Sequence, residues 1–322
     1  MDDYPLRGAY AILHILSGPS LAINEAEADN RPVAMDGARF FLSDDTWIER
    51  LDEETALHIQ TACEPAQYRI DNVVHDRHLY AFLKKVPKVE TVRYEGLNEL
   101  HALVALSRLI HPTSTGDRYS AWALQYPQQN SSVVAIQYKG MSPDVLLSKG
   151  HRDWLSVADA EVVRKVAGWV APNKSMHARV RRAYWNHEYA MRSAFLDMRW
   201  TLVVSGLEAL TNIGERDSGG QFRCRAKLLA DELQVNLSED ELERAWKLRS
   251  KLVHAEGFLY DLESVLPRNQ HDPLYEKLEM LLRLVLRRSL LDENFGDFFK
   301  DDNAVALRWP YFPSRTPRKG RP

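Results

Sequence analysis

The segment "LERAWKLRSKLVHAEGF", residues 242–258, decides the fold class of the C-terminal half of this chain. At 3.6 residues per turn its apolar side chains share one face of a helix. Ser238 and Glu241 precede it with the spacing of a capping box, which predicts where the helix begins. The apolar arc comprises Leu242, Ala245, Trp246, Leu248, Leu252 and Val253.

Arg249 projects from near the centre of that arc, and His254 follows five positions later, just before Gly257. An unpaired buried charge costs several kcal/mol or more, so something must meet this guanidinium. Two interpretations stay open. Arg249 meets an RNA phosphate or partner groups in a dimer cleft, or it is a structural arginine paired with a carboxylate such as Glu208. In the second case His254 simply caps the helix.

The chain divides into two halves that differ in predicted secondary structure. Helical periodicity recurs at 157–170, 176–194, 196–213, 221–233 and 273–292, which predicts an all-α bundle. The first half mixes a strand at 37–43, a helix at 97–112 and a hairpin within 121–138. We therefore expect an α+β protein whose parts are a mixed α/β domain (1–152), a helical bundle (153–295) and an extended, basic, Pro-rich tail (296–322).

Composition limits the function classes. The chain has 322 residues, 27% of them charged, and a formal net charge of -3, which indicates a soluble protein and argues against constitutive tight binding of long nucleic acid. Its two cysteines predict neither a disulfide framework nor a metal site, and His75 and His78 are too sparse to bind a metal. No export or membrane-spanning segment is recognisable. We expect a cytoplasmic protein that needs no cofactor.

The C-terminal half resembles the ApeA-like branch of the HEPN superfamily. The resemblance lies in "LRSKLVHAEGF", preceded by "SGLEALTN" and "RAKLLADEL" and followed by "LEMLLRLVLRRSL", and covers roughly residues 175–295. It implies a dimeric helical bundle that binds or cleaves RNA, often in bacterial phage-defence or toxin–antitoxin systems. It also implies that the first half is a sensor or partner domain, which an antitoxin or trigger protein would bind.

Many HEPN domains are metal-independent endoribonucleases with an Arg, four to six intervening residues and a His, and Arg249 and His254 match that spacing. About one such match is expected by chance, and Arg182 and His187 in "RAYWNH" form a second one without the family's surroundings. The family pattern prefers Asn, His or Asp after the arginine and often Gly after the histidine. This chain has Ser250 and Ala255 there.

The chemistry explains the residue types. Cleavage of RNA through its 2′-hydroxyl needs proton exchange near neutral pH, which suits His, and positive charge on the phosphorane, which suits Arg. Side chains five positions apart point about 140° from each other on a helix, so a second protomer would help to bring them together. We expect His254 and Arg249 to be catalytic, with Ser250 in support. Candidate RNA-binding residues are Lys251, Arg283, Arg287 and Arg288, although the arginines also fit a solvated helix face.

Two hypotheses follow from these residues. The first is a metal-independent endoribonuclease acting as a homodimer. The second is a non-catalytic HEPN module that binds RNA or assembles with protein, which Ser250 and Ala255 favour.

Overall fold

A computed structural model describes much of the chain, and its contacts divide the chain into two compact units, Met1–Ser175 and Met176–Pro322. The described residues are 10–20, 32–34, 38–51, 77–86, 97–113, 120–125, 132–137, 154–169, 177–193, 195–214 and 217–312.

The first unit contains an antiparallel sheet. Its strands in the described part pair in the order β2-β3-β4-β1-β5-β6, with every neighbouring pair antiparallel. The predicted strand in 37–43 and the predicted hairpin are both present, and the hairpin forms β5 and β6. The strands are β1 (Tyr10–Ser20), β2 (Phe40–Ser43), β3 (Thr46–Arg50), β4 (Arg77–Val86), β5 (Ser120–Gln125) and β6 (Ser132–Gln137).

Two helices in the described part of this unit complete its core. Helix α1 (Leu97–Ile110) was predicted from residues 97–112, and α2 (Val157–Val166) begins at a capping box formed by Ser156 and Asp159. The core joins β2, β3 and β4 to both helices through buried residues. Antiparallel strands and separate helices make the protein α+β.

The position of α2 differs from the sequence-based boundary at 152/153. That boundary assigned α2 to the helical bundle because its periodicity is helical. Its buried Ala160 and Val163 instead share a core with Phe82 and Leu103 of the first unit. The bridge between Pro32 and Ser156, with the Val33 amide donating to the Leu155 carbonyl at 2.9 Å, also ties this segment to the first unit. Amphipathic periodicity shows that a face is buried but not which partner buries it.

The second unit is helical. Helices α3 and α4 pack against each other, α5 packs against α6, α4 packs against α6, and α7 contacts both α3 and α4. Short 3₁₀ turns at Leu259–Leu262 and Arg268–Gln270 connect α6 to α7. The helices are α3 (Ala178–Arg192), α4 (Leu196–Thr211), α5 (Ser218–Glu232), α6 (Glu239–Val253) and α7 (His271–Leu291).

The predicted apolar stripes form the core of this unit. On α7 all four residues of the predicted stripe, Leu274, Leu278, Leu281 and Val285, are buried. On α4 the stripe is buried from Val203 to Leu210 and includes Gly206. A Cβ atom at Gly206 would lie 2.8 Å from Leu282, so α4 and α7 approach too closely there for a larger residue without repacking.

The C-terminal segment differs from the expected extended tail over 296–322. Helix α8 (Glu293–Phe298) and helix α9 (Asp302–Arg308) occupy its first part. Phe295, Phe299 and Trp309 are buried there, and the Trp309 indole N–H donates to Glu232 at 3.2 Å. Aromatic burial therefore folds a stretch whose charge and prolines predicted an extended chain. Residues 313–322, with Arg315, Arg318, Lys319 and Arg321, lie outside the described residues.

Within the described part of the chain, no helix combines the length and the hydrophobicity that crossing a bilayer requires.

Candidate functional site

Helix α6 carries the motif and begins as predicted. The Ser238 hydroxyl accepts from the Glu241 amide at 3.1 Å, and the Glu241 carboxylate accepts from the Ser238 amide at 2.8 Å. Leu242, Ala245 and Leu248 face the core. The expected arc is narrower than the sequence suggested, because Val253 is about half exposed. Arg249, which is itself partly exposed, consequently lies toward one edge of the buried stripe rather than at its centre.

Arg249 contacts helix α4 of the same chain. Its Nη2 atom lies 2.8 Å from Oε2 of Glu208 and donates a longer bond of 3.4 Å to the Ser205 hydroxyl. The pair is partly accessible, with 26% of the Arg249 side chain and 16% of the Glu208 side chain exposed. Glu208 is the carboxylate that the sequence analysis named as the partner of Arg249 if Arg249 is a structural arginine.

This contact does not use all the hydrogen-bond donors of the guanidinium. Only Nη2 meets Glu208 and Ser205, so the pair is not the bidentate fork that Arg and a carboxylate form at their best. Nε of Arg249 is buried with no hydrogen-bond partner, and Nη1 has no partner among the described residues. Arg249 therefore keeps one donor group, Nη1, that an additional acceptor such as a phosphate oxygen could use.

Glu208 occupies a partly desolvated position. Burial raises the pKa of Glu208, while the Arg249 charge opposes that increase. The Trp246 indole N–H also lowers the pKa of Glu208, although it makes no hydrogen bond of normal geometry. A carboxylate that contacts the guanidinium at one nitrogen holds Arg249 less firmly than a bidentate pair would.

His254 caps the C-terminal end of α6. Its backbone N–H donates to the Ser250 carbonyl at 3.1 Å, and its side chain is exposed. The imidazole has no hydrogen-bond partner in the described part of the chain, so both ring nitrogens are accessible. An exposed imidazole at a helix end can exchange protons with a bound substrate.

Ala255 adopts the left-handed backbone conformation that ends helix α6 after the motif. It has a φ of 55°, in the left-handed region, and its amide donates to the Leu252 carbonyl at 3.2 Å. The Glu256 amide donates to the Lys251 carbonyl at 3.0 Å, which completes a Schellman-type helix end. Glycine is the usual residue at this position, so alanine here costs about 1 kcal/mol of conformational strain.

Lys251 and Ser250 lie between the two motif residues. Lys251 forms an ion pair with Glu256, and this contact, more than the nearby His254, lowers the pKa of Glu256. Ser250 is half-buried and contributes its carbonyl to the cap of His254. Its supporting catalytic role stays a prediction.

The predicted RNA-binding arginines of α7 have different surroundings. Nε of Arg283 lies 3.2 Å from Glu279, and Nη1 of Arg288 lies 3.0 Å from Glu232. The Arg288 guanidinium also lies 4.2 Å from the centre of the Phe295 ring. Arg287 is half-buried and has no ion-pair partner among the residues described. Of the three arginines, Arg287 therefore has the fewest intramolecular charge contacts and is the most available to bind a phosphate.

The second Arg–His match proves to be part of the core. His187 is 1% exposed, and its Nε2 atom lies 2.8 Å from Glu279 of α7. Glu279 also contacts Arg283, so the three side chains form a partly buried network between helices. The identical spacing of Arg182 and His187 therefore has a structural explanation.

An exposed apolar patch lies at the end of the α4–α6 pair that carries His254. Its residues are Phe195 and Met198 at the start of α4, with Val253 and Phe258 at the end of α6. Phe195 is 73% exposed and Phe258 is 74% exposed. The Leu259 amide donates to Asp197 at 3.2 Å, which holds the two ends together. Sequence reasoning missed this patch, because periodicity marked Val253 as a core residue.

In the ranges that the structure describes, no group of three or more His, Cys, Asp or Glu side chains is arranged to bind a metal ion.

Comparisons of the whole chain with protein-family models, with curated proteins and with solved structures found no match.

Proposed function

We propose that the second unit is a HEPN-type endoribonuclease that cleaves RNA without a metal ion. Arg249 would bind the scissile phosphate, and His254 would exchange protons with the reacting oxygens. One observation carries the proposal: Arg249 contacts a carboxylate through Nη2, its Nη1 has no partner among the described residues, and the exposed imidazole of His254 follows at the end of the same helix.

The reaction would use the RNA's own 2′-hydroxyl as nucleophile. A base takes the proton of this hydroxyl, which attacks the adjacent phosphorus, and the bond from phosphorus to the 5′-oxygen breaks as an acid protonates that oxygen. The products are a 2′,3′-cyclic phosphate and a 5′-hydroxyl end. His254 fits the proton transfers, and the Arg249 guanidinium fits the charge that builds on the phosphorane.

Glu208 would act as a positioning residue. Its contact with Nη2 orients the guanidinium and leaves Nη1 for the substrate. The same contact limits the affinity for phosphate, because the carboxylate repels the incoming anion. Ser205 adds a long hydrogen bond to the same nitrogen.

A second copy of the chain would complete the site. The exposed patch of Phe195, Met198, Val253 and Phe258 adjoins the His254 end of α6, and burial of such apolar side chains favours association. A two-fold pairing over this patch would bring two Arg249/His254 sets around one groove. Bacterial phage defence or a toxin–antitoxin system in the cytoplasm is the setting that the HEPN resemblance implies.

The substrate requirement tests the mechanism. The purified chain is incubated in EDTA with an RNA and with the same sequence carrying 2′-deoxyribose throughout. We expect cleavage of the RNA alone, with cyclic phosphate ends. Cleavage of the deoxy strand, or cleavage of neither strand, would contradict the proposal.

The ion pair between Arg249 and Glu208 favours a second candidate, a non-catalytic HEPN module for RNA binding or protein assembly. Ser250 and Ala255, in place of the residues that the family pattern prefers, point the same way. Expression in a bacterial host separates the two candidates. Growth inhibition that His254→Ala relieves supports the enzyme, whereas equal RNA binding without toxicity from either version supports the module.

A further inference from the structure

A cavity in the first unit is independent of the motif on α6. It has a volume of about 520 Å³, within the range of small-molecule sites. Its walls come from the β2–β3 turn, the first two turns of α1 and the 3₁₀ turn that follows α2, with Lys84 of β4 also lining it.

The polar side of the cavity carries two carboxylates and one ammonium group. Nζ of Lys84 lies 2.6 Å from Asp45 and 2.8 Å from Glu99. Although burial alone would lower the pKa of Lys84, its hydrogen bonds to Asp45 and Glu99 raise it, so the ammonium stays protonated. With both carboxylates ionised, the cluster has a net charge of -1.

The hydrogen bonds within this cluster leave one acceptor open. Asp45 accepts from the Ser43 hydroxyl at 2.7 Å, from the Thr46 hydroxyl at 2.9 Å and from Lys84. Glu99 contacts Lys84 through Oε2 alone, and its Oε1 atom has no partner among the described residues. Glu99 is therefore the group best placed to accept a hydrogen bond from a ligand.

The remaining wall is apolar. Leu42, Leu100, Leu103 and Ala167 line this side, although neighbouring atoms cover most of the three leucines and leave little of their surface facing the cavity. Such a wall accommodates the hydrocarbon part of a ligand, because removing apolar surface from water on binding is favourable. An anionic group would meet repulsion from the excess carboxylate, whereas a cationic group would be attracted to it.

We infer that this cavity binds a small organic ammonium compound, with the ammonium group on Glu99 and a small apolar body on the side lined by Ala167 and the leucines. The inference concerns the first unit and does not rest on the proposed function of the second.

Gly168 offers a way to obstruct the rim of the cavity. It lines the site, and a Cβ atom added there would meet no heavy atom within 4 Å. Gly168 is exposed, so a leucine at this position would add bulk at the rim of the cavity without meeting packed atoms. Gly168→Leu is the blocking variant, and Gly168→Ala is its matched control.

Binding to the full chain is measured by calorimetry and by thermal shift with three primary amines: 2-phenylethylamine, cyclohexylmethylamine and hexylamine. Phenylacetate and 2-phenylethanol serve as anionic and neutral probes. We expect saturable binding of at least one amine, and affinity reduced about tenfold or more by Glu99→Gln, the loss of one charge-assisted contact. Gly168→Leu should weaken amine binding by obstructing the rim, and Gly168→Ala should retain wild-type affinity.

Three outcomes would overturn the inference. These are no saturable binding of any of the amines, binding of phenylacetate as tight as that of 2-phenylethylamine, or undiminished amine binding by both Glu99→Gln and Gly168→Leu. Unfolding curves of each variant establish that a loss of binding comes from the cavity and not from a misfolded unit.

Discussion

Two histidines, His187 and His254, each follow an arginine by five residues, yet their surroundings differ completely. His187 is enclosed between α3 and α7 against Glu279, whereas His254 is exposed at the end of α6. The spacing alone predicts neither environment, because both Arg–His pairs have the same five-residue spacing. The glycine beyond His254 and the helix end that it marks were the only local signals that distinguished them.

The two histidines should therefore contribute differently to stability. His187→Ala removes a hydrogen bond from partly buried Glu279 and should lower the free energy of unfolding by about 1–3 kcal/mol. His254→Ala removes an exposed ring without side-chain partners and should change it by about 0.5 kcal/mol or less. Urea unfolding measures both. Equal destabilisation by the two substitutions would show that His254 has a structural role.

Glu279 should make the stability of the second unit sensitive to acid. Burial alone would raise the pKa of Glu279, but the hydrogen bond with His187 and the charge of Arg283 outweigh it and lower the pKa below 4.5. A lowered folded-state pKa means that the unfolded chain binds more protons in acid. The stabilisation is therefore present above about pH 4.5 and is lost as the pH falls further.

Comparison with Glu279→Gln checks this expectation. The difference in unfolding free energy between wild type and variant should be largest near pH 6 and should shrink toward about pH 3. Urea titrations across this range supply the values. A difference that stays constant with pH would mean that the Glu279 carboxylate is not preferentially ionised in the folded state.

At the scale of elements, helix α6 ends in a strained residue. Ala255 adopts a left-handed backbone conformation that glycine reaches without the clash of a Cβ atom. Ala255→Gly should raise the free energy of unfolding by up to about 1 kcal/mol. Thermal unfolding measures the gain, with Ala209→Gly inside α4 as a control that should destabilise. A loss of stability in Ala255→Gly would mean that α6 does not end as described.

Helix α8 provides a test of the folded C-terminal segment. A Cβ atom on Gly296 would lie 2.5 Å from the backbone carbonyl oxygen of Ser289. Gly296→Ala should therefore destabilise the second unit by about 1–3 kcal/mol, despite the better helix propensity of alanine. Gly168→Ala, which meets no neighbouring atom, is the control. Wild-type stability of Gly296→Ala would indicate that α8 does not pack against α7.

The sequence predicted the long helices better than the short ones. Apolar residues every three or four positions, and the capping box at Ser238, placed α6 and α7 to within a few residues. Helices α8 and α9 are too short to display that period, and nearby prolines and charges suggested an extended tail. Their burial depends on Glu232 and on aromatic contacts such as that between Phe298 and Trp309, which no local pattern reveals.

At the scale of the whole molecule, the sequence predicts the α+β class. It does not predict which of the two hydrophobic cores α2 packs into. The alternation of strand and helix signals before residue 150, and helical periodicity after it, indicate both structural classes. Which core a helix joins depends on contacts distant in sequence, such as that of Val163 with the first unit. The same limit applies to the candidate site. The sequence could name Glu208 as one partner for Arg249, but only the packing of α4 on α6 selects it.

The most direct test of the central claim measures cleavage of one RNA in EDTA by wild type and three variants. His254→Ala and Arg249→Lys should each reduce the rate by about 100-fold or more, since one loses the proton-exchanging group and the other loses the forked donor. Lys247→Met removes an exposed cation from the same helix and should cleave within about twofold of wild type. Cleavage by His254→Ala at the wild-type rate would contradict the account.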